Sequence, residues 1–437
     1  MKKKIYDAQK FGVTKEQLSE EALSVIKKLQ ASKFDGYIVG GGVRDLLLKV
    51  KPKDFDIATD ATPEQIKRIF KHKAIIIGRR FKIVHILFEK INPDKTYNGR
   101  PAIERSIIEV STYRSQQIDQ NNLNEHGKIL VDNDYGTIDE DAFRRDFTIN
   151  ALFYDPYKNE IIDFVGGIKD IEKRLIRIIG EPTARYIEDP VRILRAIRLS
   201  AKLGLAIEDE SAKPFDQVSH LLVHENRSRL FEEMLKVLLS GSAYKCVELL
   251  KHTLIPKGVF VLFDRLFLSN KPSALALEAL KRSDERIAGG EEVSTIYLLA
   301  CMMWEMIEAS QQELIDTEKE SPKQALFLSI AKNKQFAYNI GVTKAIYNLM
   351  REIWVLQYDM EHPLPKKIDT ILNNRRFRQA WHLFELRKQF GQKLNVQIFD
   401  CWNEYMQSET PDKVKLASTL RLLLQKLERK TRKPKPS

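Results

Sequence analysis

The chain has 437 residues, a formal net charge of +12, 43% hydrophobic and 30% charged residues. That length holds roughly two to four domains, and the composition excludes disordered, collagen-like and disulfide-framework classes. Cys246, Cys301 and Cys401 lie far apart, so neither a metal-ligand spacing nor a disulfide framework can be built from them. No stretch approaches the ~18 apolar residues of a membrane span. The start, "MKKKIYDAQKFG", has positive charge with no apolar run behind it, unlike a signal peptide. A cytoplasmic, reducing setting is expected. The excess of Lys and Arg points to a polyanionic partner, and a merely soluble basic surface is the plainer alternative.

In chain order, residues 14–31 read as an amphipathic helix with Leu18, Ala22, Val25, Ile26 and Leu29 on one face. From Tyr37 to about Gly180 the chain is strand-rich: "GYIVG", "FDIAT", "FKIVHILFE", "SIIEVSTYR", "EIIDFVG" and "LIRIIG". Helices are expected at 43–48, 63–71 and 141–152, giving a sheet with helices on one face. The polar segments 92–106 and 114–136 read as loops. From Asp189 to about residue 425 the spacing is helical, as in "VRILRAIRLSAKLGL" and "AIYNLMREIWVLQYDM". The end, "KLERKTRKPKPS", is basic, contains proline and reads as disordered. The expected fold class is therefore α+β: a mixed-sheet head followed by an all-α neck and body. The divisions are a helical extension (1–34), a head (35–180), a neck (181–245), a body (246–425) and a tail (426–437).

Three glycines, Gly40, Gly41 and Gly42, follow the apolar run Tyr37 to Val39 and open a short apolar helix. Gly40-x-Gly42 is followed by Val43, Arg44 and Asp45, so it fails the dinucleotide fingerprint, and no P-loop Gly-Lys-Ser/Thr is present. Bare backbone there suits an anion near a helix N-terminus, but it equally suits a plain strand-to-helix turn. Asp54 and Asp56 are two apart, and on a strand they would share a face. Carboxylates so placed repel unless a cation lies between them, although solvated acids in a turn after Pro52 are the simpler account. In "SIIEVSTYR" one face carries Ile108, Val110 and Thr112, and the other carries Ile107, Glu109, Ser111 and Tyr113. Glu109 thus sits in an apolar strand that does not need it for folding. Three carboxylates on adjacent strands make a hard-oxygen site for Mg²⁺, and two such ions can activate a hydroxyl and stabilise leaving pyrophosphate.

Taken together, "GGGVRDLLL", "KDFDIAT" and "IIEVSTYR" resemble the head of the class II nucleotidyltransferases of the polymerase-beta superfamily, the group of CCA-adding enzymes and bacterial poly(A) polymerases. "EDAFRRDFTINAL" (140–152), "DFVGGIKDIEKRLIRIIG" and "EDPVRILRAIRLSAKLGL" continue the likeness over roughly residues 35–240. The resemblance implies catalytic, metal-holding Asp54, Asp56 and Glu109, with two Mg²⁺ ions and ATP as substrate. It implies triphosphate contacts at Gly41 and Gly42, and further nucleotide-binding roles for Arg44, Arg145, Asp146 and Asn150.

Asp189 before Pro190 reads as an N-cap followed by proline at the first helical position. Asp189 and Arg192 also share a helix face. A carboxylate that accepts and a guanidinium that donates match the pairing edges of adenine and cytosine and reject guanine and uracil. The resemblance assigns this pair that base-selecting role, which does not separate ATP from CTP. Arg195 and Arg198 continue a basic stripe that braces Asp189, meets phosphate or is merely solvated.

"IIGRRFKIVHIL", with Arg79 and Arg80 before Phe81, resembles bacterial poly(A) polymerases more than CCA-adding relatives. "RSRLFEEMLKVLLSG", "NNRRFRQAWHLFELR" and the basic tail point the same way. His85 in that strand reads as structural. The implied partners are ATP and single-stranded RNA 3′ ends read with little sequence preference, and a monomer is expected. RNA contacts are expected at Lys426, Arg429, Lys430, Arg432, Lys433 and Lys435. A CCA-adding tRNA enzyme shares the whole site and is the alternative, and a non-catalytic RNA-binding protein on the same fold is a remote one.

Overall fold

The computed structural model describes residues 3–78, 82–97, 100–115, 134–252, 259–267, 271–392, 394–408, 418 and 421–422. Two compact units divide the chain, Met1–Leu221 and Leu222–Ser437.

The first unit is built on an eight-stranded mixed sheet. Its strands are β1 (Lys4–Asp7), β2 (Tyr37–Val39), β3 (Asp56–Thr59), β4 (Ala74–Ile77), β5 (Ile83–Tyr97), β6 (Arg100–Thr112), β7 (Leu152–Asp155) and β8 (Glu160–Asp163). They run in the order β1-β8-β7-β2-β3-β6-β5-β4. Only β3 and β6 pair in parallel, with Ile57 opposite Val110. The α+β expectation holds. Helix α1 (Glu20–Ala31) buries Ala22, Val25, Ile26 and Leu29, as its spacing requires, and Ser19 caps it. Helix α2 (Gly41–Leu47) leads away from β2. Helix α3 (Pro63–Phe70) starts from Thr62 in a capping box with Gln65. The core is centred on Phe153, whose ring meets Tyr37, Tyr113 and Phe164 edge-on at 6.4, 6.3 and 6.3 Å.

Several expectations are corrected. The described residues of 92–106 are not a loop: 92–97 extend β5 and 100–106 begin β6, which pair antiparallel with Ile91 opposite Ile103. The segment's polar composition hid the period-2 ladder, which an Arg105–Glu89 ion pair at 2.9 Å laces together. The helix expected at 141–152 is α4 (Ile138–Arg144). The backbone turns extended at Arg145, and β7 follows from Leu152. The N-terminal segment is not only helical, because β1 pairs antiparallel with β8. "LIRIIG" supplies just β9 (Leu175–Ile176), which pairs with β10 (Ala206–Ile207) outside the large sheet. Of segment 114–136, residues 116–133 lie outside the described residues.

The "DFVGG" stretch is a capping device. Both carboxylate oxygens of Asp163 accept N–H bonds from Val165, Gly166, Gly167 and Ile168 at 2.7–3.1 Å, starting helix α5 (Gly167–Glu172). A Cβ at Gly167 would lie 2.3 Å from the Thr148 carbonyl oxygen, so only glycine fits there. Helices α6 (Pro182–Glu188) and α7 (Val191–Leu203) follow.

The second unit is helical throughout its described residues, from Arg227–Leu238 to Val396–Gln407. Trp304, Trp354 and Trp402 are fully buried. The Trp354 and Trp402 indoles donate to the carbonyls of Ala300 and Met360, both at 3.0 Å. No described helix is long and apolar enough to cross a membrane.

Candidate active site

Asp56 opens β3 opposite Val39. One residue before the paired Ile57 and Val110 stand Asp56 and Glu109, neighbours on parallel strands. Asp54 is not on the strand: it lies in the preceding loop, so the shared-face argument reaches Asp56 and Glu109 but not Asp54. The loop nevertheless brings Asp54 close. Asp56 is exposed at the mouth of the strand, yet partial desolvation of its carboxyl, then the charges of Glu109 and Asp54, raise its pKa to about 6 against a smaller opposing pull from Arg145. Gly42 packs under this loop, where an added Cβ would sit 3.3 Å from Phe55 and 3.4 Å from the Asp54 carbonyl oxygen. Gly40 has φ +65° and ψ −128°, a backbone conformation that only glycine adopts readily. Gly40 is thus explained by the turn and Gly42 by the close approach.

The hard-oxygen donor set fits a divalent cation. The repulsion that raises Asp56 is what such an ion would relieve. Among the described residues, however, no three acidic, His or Cys side chains close into a ligand shell. Three like charges do not gather unaided. Glu109 instead meets His85, whose Nε2 lies 3.2 Å from Glu109 Oε1.

The expected nucleotide-binding residues form a connected network. Arg44, buried, donates to Asp45 Oδ1 at 2.8 and 2.6 Å and to Asn150 Oδ1 at 2.7 Å. Asn150 donates to Asp146 at 3.1 Å, and Asp146 pairs with Arg195 at 3.6 Å. Arg145 is held by Asp141 at 2.8 and 3.1 Å, lies over the Phe153 ring at 5.2 Å, and would meet a Cβ on Gly40 at 3.3 Å. Gly41 lies against the Arg44 guanidinium, 3.4 Å from where its Cβ would be.

Asp189 is extended and follows α6. Its carboxylate accepts the Val191 N–H at 3.2 Å, which is the capping role expected at the start of α7. Arg192 points elsewhere than its spacing suggests. It donates to Glu188 at 3.0 and 3.4 Å and to the Arg185 carbonyl at 2.6 Å. Arg185 in turn pairs with Glu188 at 2.6 Å and donates to the carbonyls of Arg144 and Arg145. Sequence reasoning missed Asp45, Asp141, Arg185 and Glu188. Two of these were signalled by i,i+4 spacing, Asp141 to Arg145 and Glu188 to Arg192. Arg198 lies on α7. Arg79, Arg80 and Phe81 fall outside the described residues, as do Lys426, Arg429, Lys430, Arg432, Lys433 and Lys435.

Residues 36–177 match the family model described as the poly A polymerase head domain. Residues 204–267 match the "probable RNA and SrmB-binding site of polymerase A", and 318–436 its arginine-rich C-terminus. Poly(A) polymerase I of Salmonella typhimurium is 34% identical over 419 residues, covering 93% of this chain and 87% of the relative. The chain belongs to the poly(A) polymerase family. The corresponding protein of Haemophilus influenzae is 33% identical over 444 residues, 99% of this chain and 94% of the relative. A CCA-adding enzyme of Geobacillus stearothermophilus is 35% identical, but over 54% of this chain and 53% of its own length. Among solved structures, the Bacillus stearothermophilus CCA-adding enzyme in complex with CTP superposes with a TM-score of 0.55 at 22% identity, covering 93% of both chains. The two chains share a fold. Members of the family are polynucleotide adenylyltransferases that work without a template, and this chain is such an enzyme by membership.

Proposed function

We propose that the chain transfers AMP from ATP to RNA 3′ ends, repeatedly and without a template, and so makes poly(A) tails in RNA processing and turnover. The observation that carries this reading is that the chain aligns with a poly(A) polymerase nearly end to end and sets Asp56 and Glu109 side by side on parallel strands.

The 3′ hydroxyl attacks the α-phosphorus of ATP in line. A new P–O bond forms, pyrophosphate leaves, and the hydroxyl proton is lost. Asp54, Asp56 and Glu109 would hold two Mg²⁺ ions, which supply a lowered hydroxyl pKa and neutralise the leaving group. Gly41 and Gly42 offer backbone to the triphosphate. Arg44, Arg145, Asp146 and Asn150 form the wall behind it, tied to α7 through Arg195, with Arg198 one turn further along. Asp189 and Arg192 present an acceptor and a donor to adenine's pairing edge. Glu188 and Arg185 hold the Arg192 guanidinium, so the donor is pre-oriented. In this reading the head is residues 35–180, the neck 181–245 and the body 246–425, and neck, body and tail grip RNA chiefly through phosphates.

CCA addition remains the second reading, because a CCA-adding relative matches about half of the chain, 54%. Incubating a generic RNA oligonucleotide with each nucleoside triphosphate alone separates the two. Long ladders with ATP only are expected. One or two additions with CTP, with no ladder from ATP, would establish the CCA reading instead.

A further inference from the structure

His85 stands directly across the β5–β6 ladder from Glu109. The flanking Val84, Ile86, Ile108 and Val110 are buried on the opposite face, so the backbone on both sides is fixed. The Glu109 side chain is 51% exposed and long enough to swing. His85 is its sole ion-pair or hydrogen-bond-distance neighbour among the described residues. His85 Nε2 is itself buried and lacks a hydrogen bond of proper angle, although Glu109 Oε1 is 3.2 Å away. A buried ring nitrogen left unpaired is costly. A modest turn of the imidazole would satisfy it on Glu109, and site contacts of this kind often align only when the complex forms.

We propose that His85 is a positioning residue for the reaction: its Nε2–H closes onto Glu109 Oε1 and holds the second oxygen toward Asp56. This rests on the reading of Glu109 as a member of the acidic set. The imidazole touches neither nucleotide nor RNA. It restricts an exposed carboxylate to a rotamer turned toward Asp56, as outer partners do for metal-holding side chains.

The test compares His85→Leu, which keeps bulk and removes the donor, with His85→Gln, whose amide nitrogen replaces Nε2. Both are measured alone and on a Glu109→Gln background. For His85→Leu, kcat for AMP addition should fall ~10–100-fold, with the KM for ATP within about twofold. Mn²⁺ affinity, read by electron paramagnetic resonance without substrate, should weaken by a similar factor. His85→Gln should restore most of both. On the Glu109→Gln background, His85→Leu should cost less than about twofold more, because the two act as a unit. Wild-type kcat and Mn²⁺ binding in His85→Leu would overturn the proposal, as would equal impairment of the Leu and Gln variants, or full additivity with Glu109→Gln. If Glu109→Gln itself keeps normal turnover and Mn²⁺ binding, the reading of Glu109 fails and His85 falls with it. If Glu109→Gln loses both and His85→Leu loses neither, only the role of His85 fails. Should His85→Leu not fold, His85→Asn, too short to reach, replaces it against His85→Gln with the same expected contrast.

Discussion

Arg44 in the first unit and Arg387 in the second are equally buried, 6% and 5% exposed, but their surroundings differ. Arg44 joins Asp45 beside it to Asn150, 106 residues away in sequence, and the network runs on through Asp146 to Arg195. It links the glycine turn, the "RRDFTIN" stretch and α7, the three places where nucleotide contacts are expected. Arg387 lies 4.4 Å over the Trp304 ring and pairs with Glu361 at 3.0 Å. It also donates to Gln357 at 3.3 Å and to Gln392, just past its own helix, at 2.5 Å, and its other partners are on packed helices. A buried guanidinium is costly in either place. In the second unit packing explains it, whereas in the first the polar chain joins the glycine turn to α7, where the proposed nucleotide contacts lie.

The contrast can be broken from either side. Arg387→Ala leaves Glu361 unpaired and opens space beside Trp304. It should lower unfolding stability by about 3–5 kcal/mol, read by denaturant titration, with little change in the KM for ATP. A folded variant whose ATP affinity drops instead would place Arg387 in the nucleotide machinery. Arg192→Ala should do the reverse. It should raise the KM for ATP and erode discrimination against GTP and UTP by about 1–3 kcal/mol. If base choice stays sharp, the Asp189–Arg192 reading is wrong and the capping bond to Val191 is the whole role of Asp189.

Asp56 sharpens the contrast through pH. Its folded-state pKa, about 6, lies above the ~3.9 of an unfolded Asp. The folded state therefore holds the proton more tightly. Asp56 contributes stability below about pH 4, and this is lost as pH rises through 6. In metal-free buffer, wild-type stability relative to Asp56→Asn should fall between pH 4.5 and 7.5. A difference that grows in favour of wild type over that range contradicts the placement of the three acids. The smallest effect is expected at the tail. Deleting residues 428–437 should weaken RNA binding at low salt and leave the KM for ATP unchanged. It should flatten the slope of log affinity against log salt by about 0.7 per phosphate released. Salt titrations with equal slopes for both lengths would remove the tail from RNA binding.

Much of this was legible because it depends on local periodicity. The α1 face, the separation of Glu109 from buried Ile108 and Val110, and the capping character of Asp189 all follow from spacing alone. What was hidden depends on partners distant in sequence or on chain direction. The long β5–β6 ladder is polar enough at 92–106 to resemble a loop, and only cross-strand pairing makes it a strand. Asp54 was placed on the strand because i and i+2 invite it, but the strand starts two residues later. Arg192 has an acid three residues before it and another four before it, and the break at extended Asp189 between α6 and α7 leaves the guanidinium against Glu188. Spacing alone favours the acid three residues before, and the closeness of Glu188 needs the backbone path. The closeness of His85 to Glu109 needs the register of two strands.

The claim that the head acids carry the chemistry is tested most directly by single-turnover AMP addition to an RNA oligonucleotide with Asp56→Asn, at saturating ATP and Mg²⁺. The account predicts a rate at least ~10²-fold below wild type, with the thermal unfolding midpoint at neutral pH unchanged or raised because a strained charge has been removed. A rate within about threefold of wild type would contradict it.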